Sequence, residues 1–238
     1  MQEPYGTNRS HRRCPGSGLG ICFARDGTWY NDRRKGVAMS KRQPKNQWVL
    51  GAVLLAAIVI VAILLAIRPP ATFWFGVLRA TGLLGYLAVF LSILSSLYLR
   101  ELVRFFGRSF VQTHHIVALT GLGLLLVHPL AAVIVFRSLR WLLPQFGSLR
   151  EFFTWGGPPA LYLLILAILT AWQRRRIDGW RILHYGTYLA FFLATIHAIL
   201  MGTDIQVLVT RIIVILLALA AAWVPVYRHW VSPSRGSS

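Results

Sequence analysis

Five histidines in two apolar stretches are the residues of this sequence best suited to bind a metal. His114, His115 and His128 lie in one stretch, and His184 and His197 lie in another about 70 residues later. An imidazole at membrane depth costs free energy unless it meets a partner, so each of these histidines marks a candidate functional site. Neutral imidazole binds iron, and a haem with an axial histidine on each face transfers electrons because it has no open position for a substrate.

The spacing of the histidines indicates two haems stacked across a membrane. His114 and His128 are 14 residues apart, which is about 21 Å of helical rise and about 40° short of whole turns, so both rings can face one neighbour. From His115 to His128 the offset is about 140°, which makes His115 the poorer candidate. His184 and His197 are 13 residues apart and also offset by about 140°, so we expect a π-bulge or a loosened first turn near Gly186.

The alternative for each histidine is packing against a neighbouring helix through a hydrogen bond. That is the commoner role for a single histidine, whereas four histidines at matched depths on two helices favour haem ligation. Thr113, Thr120 and Thr187 lie close enough in sequence to bond such ligands. Bonding to the backbone of their own helices is the alternative that we favour for them.

Composition indicates a polytopic membrane protein. Of the 238 residues 56% are apolar and only 13% are charged, and the mean hydropathy is +0.58. The net charge of +18 comes mostly from residues between apolar runs, where they orient the protein and meet anionic headgroups, so we expect no nucleic-acid partner. Cys14 and Cys22 precede the first apolar run and could form at most one local bridge.

The apolar runs predict an all-α bundle of six transmembrane helices. The predicted spans are residues 48–67, 75–99, 111–136, 158–172, 182–201 and 205–226. Small residues in the second span should let neighbouring backbones approach, and Arg79 near its start should snorkel to the interface. We expect residues 1–46 to be disordered and basic, residues 47–227 to form the membrane domain, and residues 228–238 to form a short tail. Met39 is an alternative translation start, which leaves open whether residues 1–38 are translated.

Basic residues in the short loops predict that both termini are cytoplasmic. The basic residues expected inside are Lys41, Arg42, Lys45, Arg100, Arg104, Arg108, Arg174, Arg175, Arg176, Arg181, Arg228 and Arg235. The fewer expected outside are Arg68, Arg137, Arg140 and Arg150. This topology places His114 and His184 near the inner surface and His128 and His197 near the outer surface.

Two stretches, HHIVALTGLGLLLVHPL and WRILHYGTYLAFFLATIHAIL, resemble the ferric-reductase-like transmembrane domain of ferric reductases and NADPH oxidases. The resemblance covers about residues 48–227 and implies a six-helix bundle with two b-type haems. It implies that His114 and His184 bind the inner haem, and that His128 and His197 bind the outer haem. Val117 and Ala118 favour His114 over His115 as the matching position, although His115 stays open as a replacement.

The resemblance also implies electron transfer from a cytoplasmic reductant to an acceptor outside. Full-length ferric reductases and NADPH oxidases continue into a flavin and nicotinamide domain, whereas only residues 227–238 follow the last predicted span here. We therefore expect FAD and NAD(P)H to bind a separate cytoplasmic flavoprotein reductase. The chain would be a multi-pass subunit of the cell (inner) membrane, with an unknown outer acceptor or oxidoreductase. The alternatives are a quinol-linked membrane cytochrome and a non-catalytic membrane protein of the same fold.

The loops carry weaker signals. Arginines 100, 104 and 108, with arginines 174–176, could pair with haem propionates or dock a flavoprotein, but setting the topology explains them equally well. Aromatic residues between positions 137 and 155 predict an interfacial belt, or an amphipathic segment lying over the outer haem.

Overall fold

The computed structural model describes residues 21–23, 29–31, 47–97 and 110–231. The chain divides into two compact units, Met1–Gln43 and Pro44–Ser238. In the first unit, strands β1 (Ile21–Phe23) and β2 (Trp29–Asn31) pair antiparallel, with Cys22 opposite Tyr30. The disorder expected for residues 1–46 otherwise falls on positions outside the described residues.

Helices form the described part of the second unit. They are α1 (Gln47–Ile67), α2 (Phe73–Leu97), α3 (Phe110–Phe136), α4 (Leu149–Thr154), α5 (Gly157–Trp172), α6 (Trp180–Met201) and α7 (Leu208–Val231). Two 3-10 turns, Leu139–Leu142 and Asp204–Gln206, precede α4 and α7. The sixth predicted span is wrong at its start, because residues 205 and 206 belong to the second 3-10 turn and the helix begins at Leu208.

Four of the described helices contain segments long and apolar enough to cross a membrane. These segments are Phe73–Ser96, His114–Phe136, Trp180–Met201 and Leu208–Tyr227. Two shorter apolar segments are Gly51–Ile67 and Gly157–Trp172. Large apolar side chains on the outer faces, such as Leu119 at 59% and Leu189 at 55%, are exposed. A surface of this kind suits lipid, and the chain is a helical membrane protein.

Local sequence explains where the helices begin and end. Arg68 is followed by two prolines, which cannot continue α1 because they lack the amide hydrogen that a helix needs. Thr72 begins α2 by accepting a hydrogen bond at Oγ1 from the Phe75 amide, 3.2 Å away. Gly179 precedes α6 at a φ of 75°, which glycine adopts without a steric penalty.

The core lies where α2, α5, α6 and α7 meet. Helix α2 packs most extensively on α3, and α5 packs most extensively on α6. Glycines permit the first contact: a Cβ atom on Gly85 would come within 2.8 Å of the Leu125 side chain, and one on Gly121 within 3.0 Å of Ala88 Cβ. The predicted role of small residues in the second span is confirmed. Phe191 of α6, only 2% exposed, stacks on Tyr86 of α2 with ring centroids 4.6 Å apart.

Candidate functional site

A cavity of about 480 Å³ lies among α2, α3, α5 and α6. Its walls are mainly apolar, and His128 of α3 and His197 of α6 both line it. The volume falls within the roughly 300–1,000 Å³ that small-molecule and cofactor sites occupy. Because two of the predicted histidines share this cavity, it is the candidate site.

His128 is held from one side by the backbone of α2. Its Nδ1 atom lies 2.8 Å from the carbonyl oxygen of Leu78. A carbonyl only accepts hydrogen bonds, so Nδ1 donates, and Nε2 of the neutral ring carries no hydrogen. Gly82, one turn further along α2, makes room for the ring, since a Cβ atom there would lie 2.8 Å from Nδ1.

His197 is held in the same way from the opposite wall. Its Nδ1 atom lies 2.7 Å from the carbonyl oxygen of Thr154, the last residue of α4, and therefore donates to it. Gly157, at the start of α5, lies against the ring, with a Cβ atom there 3.1 Å from Nε2. Both cavity histidines thus present Nε2 as the ring nitrogen with a free lone pair.

These two side chains form a donor set that fits haem. A histidine that binds a metal through one ring nitrogen usually donates the other N–H to a carbonyl or carboxylate, which fixes the tautomer and the ring orientation. His128 and His197 both show this arrangement, and they border one apolar cavity. No group of three or more His, Cys, Asp or Glu side chains converges within the described part of the chain.

His114 and His184 are each held by a neighbouring helix. His114 Nδ1 is 3.2 Å from Ser92 Oγ and 3.3 Å from Ser95 Oγ. His184 Nδ1 donates to the Ala167 carbonyl oxygen, 3.2 Å away. The structure therefore brings His128 and His197 to one cavity, whereas His114 contacts α2 and His184 contacts α5.

His115 is next to His114 on α3 but differs from it in exposure. Its side chain is exposed, and its ring centroid is 6.1 Å from that of His114. His115 does not line the 480 Å³ cavity, and it forms no hydrogen bond with another described residue. The lower rank of His115 as a ligand stays a prediction.

The predicted distortion of the second histidine helix is wrong. Helix α6 is α-helical throughout Trp180–Met201, with no π-turn near Gly186. Both of its histidines nevertheless reach the α4–α5 side, where Ala167 and Thr154 accept their hydrogen bonds. These two hydrogen bonds form although the positions are offset by about 140° on the helix.

Arg79 is buried rather than directed to the interface, so its predicted snorkelling is wrong. It is 8% exposed and donates from Nε to Asp204 Oδ2 at 2.9 Å, and from Nη2 to Asp204 Oδ1. Its Nη1 atom donates to the Arg68 carbonyl oxygen at 2.5 Å. Burying an unpaired charge costs free energy, and the pairing with Asp204 offsets this cost. Arg79 can therefore stay inside the protein. Both side chains border the cavity.

Aromatic side chains of the connection between α3 and α5 also border the cavity. The Trp141 ring lies 4.2 Å from Phe136 and 4.7 Å from Trp155, measured between centroids. All three line the cavity. The connection is fastened to α5 by a 2.6 Å hydrogen bond from the Tyr162 hydroxyl to the Leu142 carbonyl oxygen.

Several residues around the histidines escape prediction from sequence. Ser92 and Ser95 contact His114, whereas Thr187 donates to the carbonyl of His184 in its own helix at 2.9 Å, as the alternative for that threonine states. The Thr113 side chain lies outside the described residues. One signal could have revealed the ion pair. The predicted topology places Arg79 and Asp204 at the same membrane surface, although Arg79 precedes the histidine stretches in sequence and Asp204 follows them.

No protein-family model, no curated protein and no solved structure matches this chain.

Proposed function

We propose that this protein is a haem b-containing membrane subunit of the ferric-reductase-like type. It passes electrons from a separate cytoplasmic flavoprotein, which holds FAD and NAD(P)H, to an acceptor on the outer side of the cell (inner) membrane. His114 and His184 hold an inner haem, and His128 and His197 hold an outer haem. The chain crosses the membrane six times, with both termini in the cytoplasm.

The observation that carries the proposal is the pairing of His128 and His197 across one apolar cavity. Each ring donates Nδ1–H to a backbone carbonyl, which leaves Nε2 for a metal. Packing alone would account for one hydrogen bond from each histidine, but it would not require both rings to line one cavity. In the second proposed pair, His184 is likewise anchored on a backbone carbonyl, that of Ala167, whereas His114 contacts the hydroxyls of Ser92 and Ser95.

The chain's own residues orient the ligands and exclude water. Bound haem would supply one-electron redox chemistry at its iron. The Leu78 and Thr154 carbonyls fix the tautomer and rotation of the two cavity histidines. The aromatic cluster of Phe136, Trp141 and Trp155 covers the cavity and lowers its access to water.

Transmembrane electron transfer can be tested in liposomes that contain trapped ferricyanide. NADH, FMN and a flavin reductase are added outside the liposomes, and ferricyanide is followed by its absorbance. We expect reduction with the wild type and with His115→Leu, and none with the double variant His128→Leu/His197→Leu.

Two results would contradict the proposal. If ubiquinol drives the reaction and the flavin system does not, the protein is a quinol-linked cytochrome. If neither donor drives it although the wild type is folded, the protein is a non-catalytic member of this architecture.

A further inference from the structure

The turn between α5 and α6 carries a compact basic surface, which we call the arginine turn and define as residues 172–181. Its exposed basic residues are Arg174, Arg175, Arg176 and Arg181, and Asp178 is its one acidic residue. The Arg176 and Ile177 amides both donate to the Gln173 carbonyl oxygen, at 2.8 and 3.2 Å. The first three arginines therefore project from one tight turn.

The arginine turn lines an open cleft in which no described acidic side chain pairs with arginines 174–176. The cleft measures about 530 Å³ and is lined by Trp172, Gln173 and arginines 174–176. Among the described residues, one ion pair lies within 4 Å, and it joins Arg79 to Asp204. Arginines 174, 175 and 176 form no ion pair with a described residue. Their combined positive charge is thus available to an anion.

Apolar side chains place this charge at a lipid boundary. Helix α6 is long and apolar enough to cross a membrane, so its first turn lies at one membrane surface. Trp172 is 82% exposed, and Ile182 is 75% exposed. The Arg181 guanidinium lies 5.8 Å from the Trp180 ring centroid. Tryptophan beside arginine is typical of the headgroup level, where an indole ring meets acyl chains while cations meet phosphates.

We propose that the arginine turn binds the phosphates of anionic phospholipid headgroups. Guanidinium groups recognise phosphate through paired hydrogen bonds, and three of them surround one cleft. The exposed Trp172 and Ile182 favour lipid over an acidic soluble protein, because these side chains suit acyl chains beside the charge. This site is independent of the proposed electron transfer.

Native mass spectrometry of the full chain in detergent, titrated with phosphatidylglycerol or phosphatidylcholine, tests the proposal. Each guanidinium group that contacts the bound anionic headgroup strengthens its binding about five-fold. The triple variant R174Q/R175Q/R176Q should therefore bind phosphatidylglycerol about 100-fold more weakly than the wild type. Phosphatidylcholine binding should not change.

The variant R137Q/R140Q/R150Q is the matched control, since it removes three exposed arginines from the other end of α5. It should keep the affinity of the wild type for phosphatidylglycerol. Equal phosphatidylglycerol binding by the wild type and R174Q/R175Q/R176Q would overturn the proposal. Flavodoxin serves as an acidic protein probe. If R174Q/R175Q/R176Q binds lipid normally but no longer binds flavodoxin, the proposal is also overturned. Excess inorganic phosphate should not displace the lipid, whereas full displacement would identify a free-phosphate site instead.

Discussion

Glycine at two positions decides how closely the cavity histidines approach the helices behind them. Gly82 faces the Nδ1 side of His128, and Gly157 faces the ring of His197. Any side chain at Gly82 would push the imidazole away from the Leu78 carbonyl that orients it. These glycines are therefore positioning residues for the histidine pair.

We predict that Gly82→Ala displaces His128. The new Cβ atom would lie 2.8 Å from Nδ1 and 2.9 Å from Cε1, so the ring must move, at a cost of about 1–3 kcal/mol. Haem per chain should fall, or the low-spin electron paramagnetic resonance signal of the remaining haem should shift. Both are measured on purified protein.

Gly123→Ala is the matched control for this change. Gly123 also lies in a helix, and a Cβ atom there meets nothing within 4 Å. Its haem content and resonance signal should equal those of the wild type. If Gly82→Ala is equally silent, His128 is not held as a ligand in the way described.

At the scale of elements, one buried ion pair joins the start of α2 to the turn before α7. Arg79 and Asp204 are each less than 10% exposed, and Arg68 adds a 2.9 Å hydrogen bond to the Thr203 carbonyl oxygen of the same turn. These contacts connect segments about 125 residues apart. Both charged side chains line the cavity, so this contact between distant segments forms part of the cavity wall.

Asp204→Asn should destabilise the protein strongly. It leaves the Arg79 charge buried without its carboxylate, which costs about 3–5 kcal/mol. In a chain of this size that loss corresponds to a thermal midpoint roughly 10 °C lower, measured in detergent by circular dichroism.

The double variant R79M/D204L provides the comparison, because it removes both charges and keeps apolar volume. It should unfold nearer to the wild type than Asp204→Asn does. Equal midpoints for the wild type and Asp204→Asn would show that the pair contributes little to stability.

Elements show where sequence periodicity succeeds and where it fails. The placement of His114 and His128 on one continuous helix follows from the apolar run alone, because α3 spans Phe110–Phe136. The bulge expected near Gly186 does not form, and each Nδ1 is instead held by a carbonyl of a neighbouring helix. Backbone angle alone does not specify that outcome.

The environment of the site depends on partners that are distant in sequence. Arg79 could meet either water or a carboxylate, and only the fold brings Asp204 to it. Ser92 and Ser95 resemble ordinary polar residues of an apolar helix until α3 places His114 beside them. Composition, in contrast, suffices to identify a helical membrane protein.

For the whole molecule, the six-span topology makes a distinct prediction about the two shorter apolar helices. If α1 and α5 both cross the membrane, residues 137–150 lie outside and residues 173–179 lie inside. Alkaline phosphatase fused after Arg140 should be active, whereas fusions after Arg176 and Ser238 should be inactive. Green fluorescent protein should show the opposite pattern. The same signal after Arg140 and Arg176 would show that α5 does not cross.

The central claim is that two histidine pairs hold two haems, and a reduced-minus-oxidised absorbance spectrum with haem quantified per chain tests it most directly. The wild type and His115→Leu should each contain two b-type haems per chain. His128→Leu/His197→Leu should lose the outer haem and retain the inner one. A folded wild-type protein that shows no haem absorbance when it is produced with ample haem, or a double variant with unchanged haem content, would contradict the account.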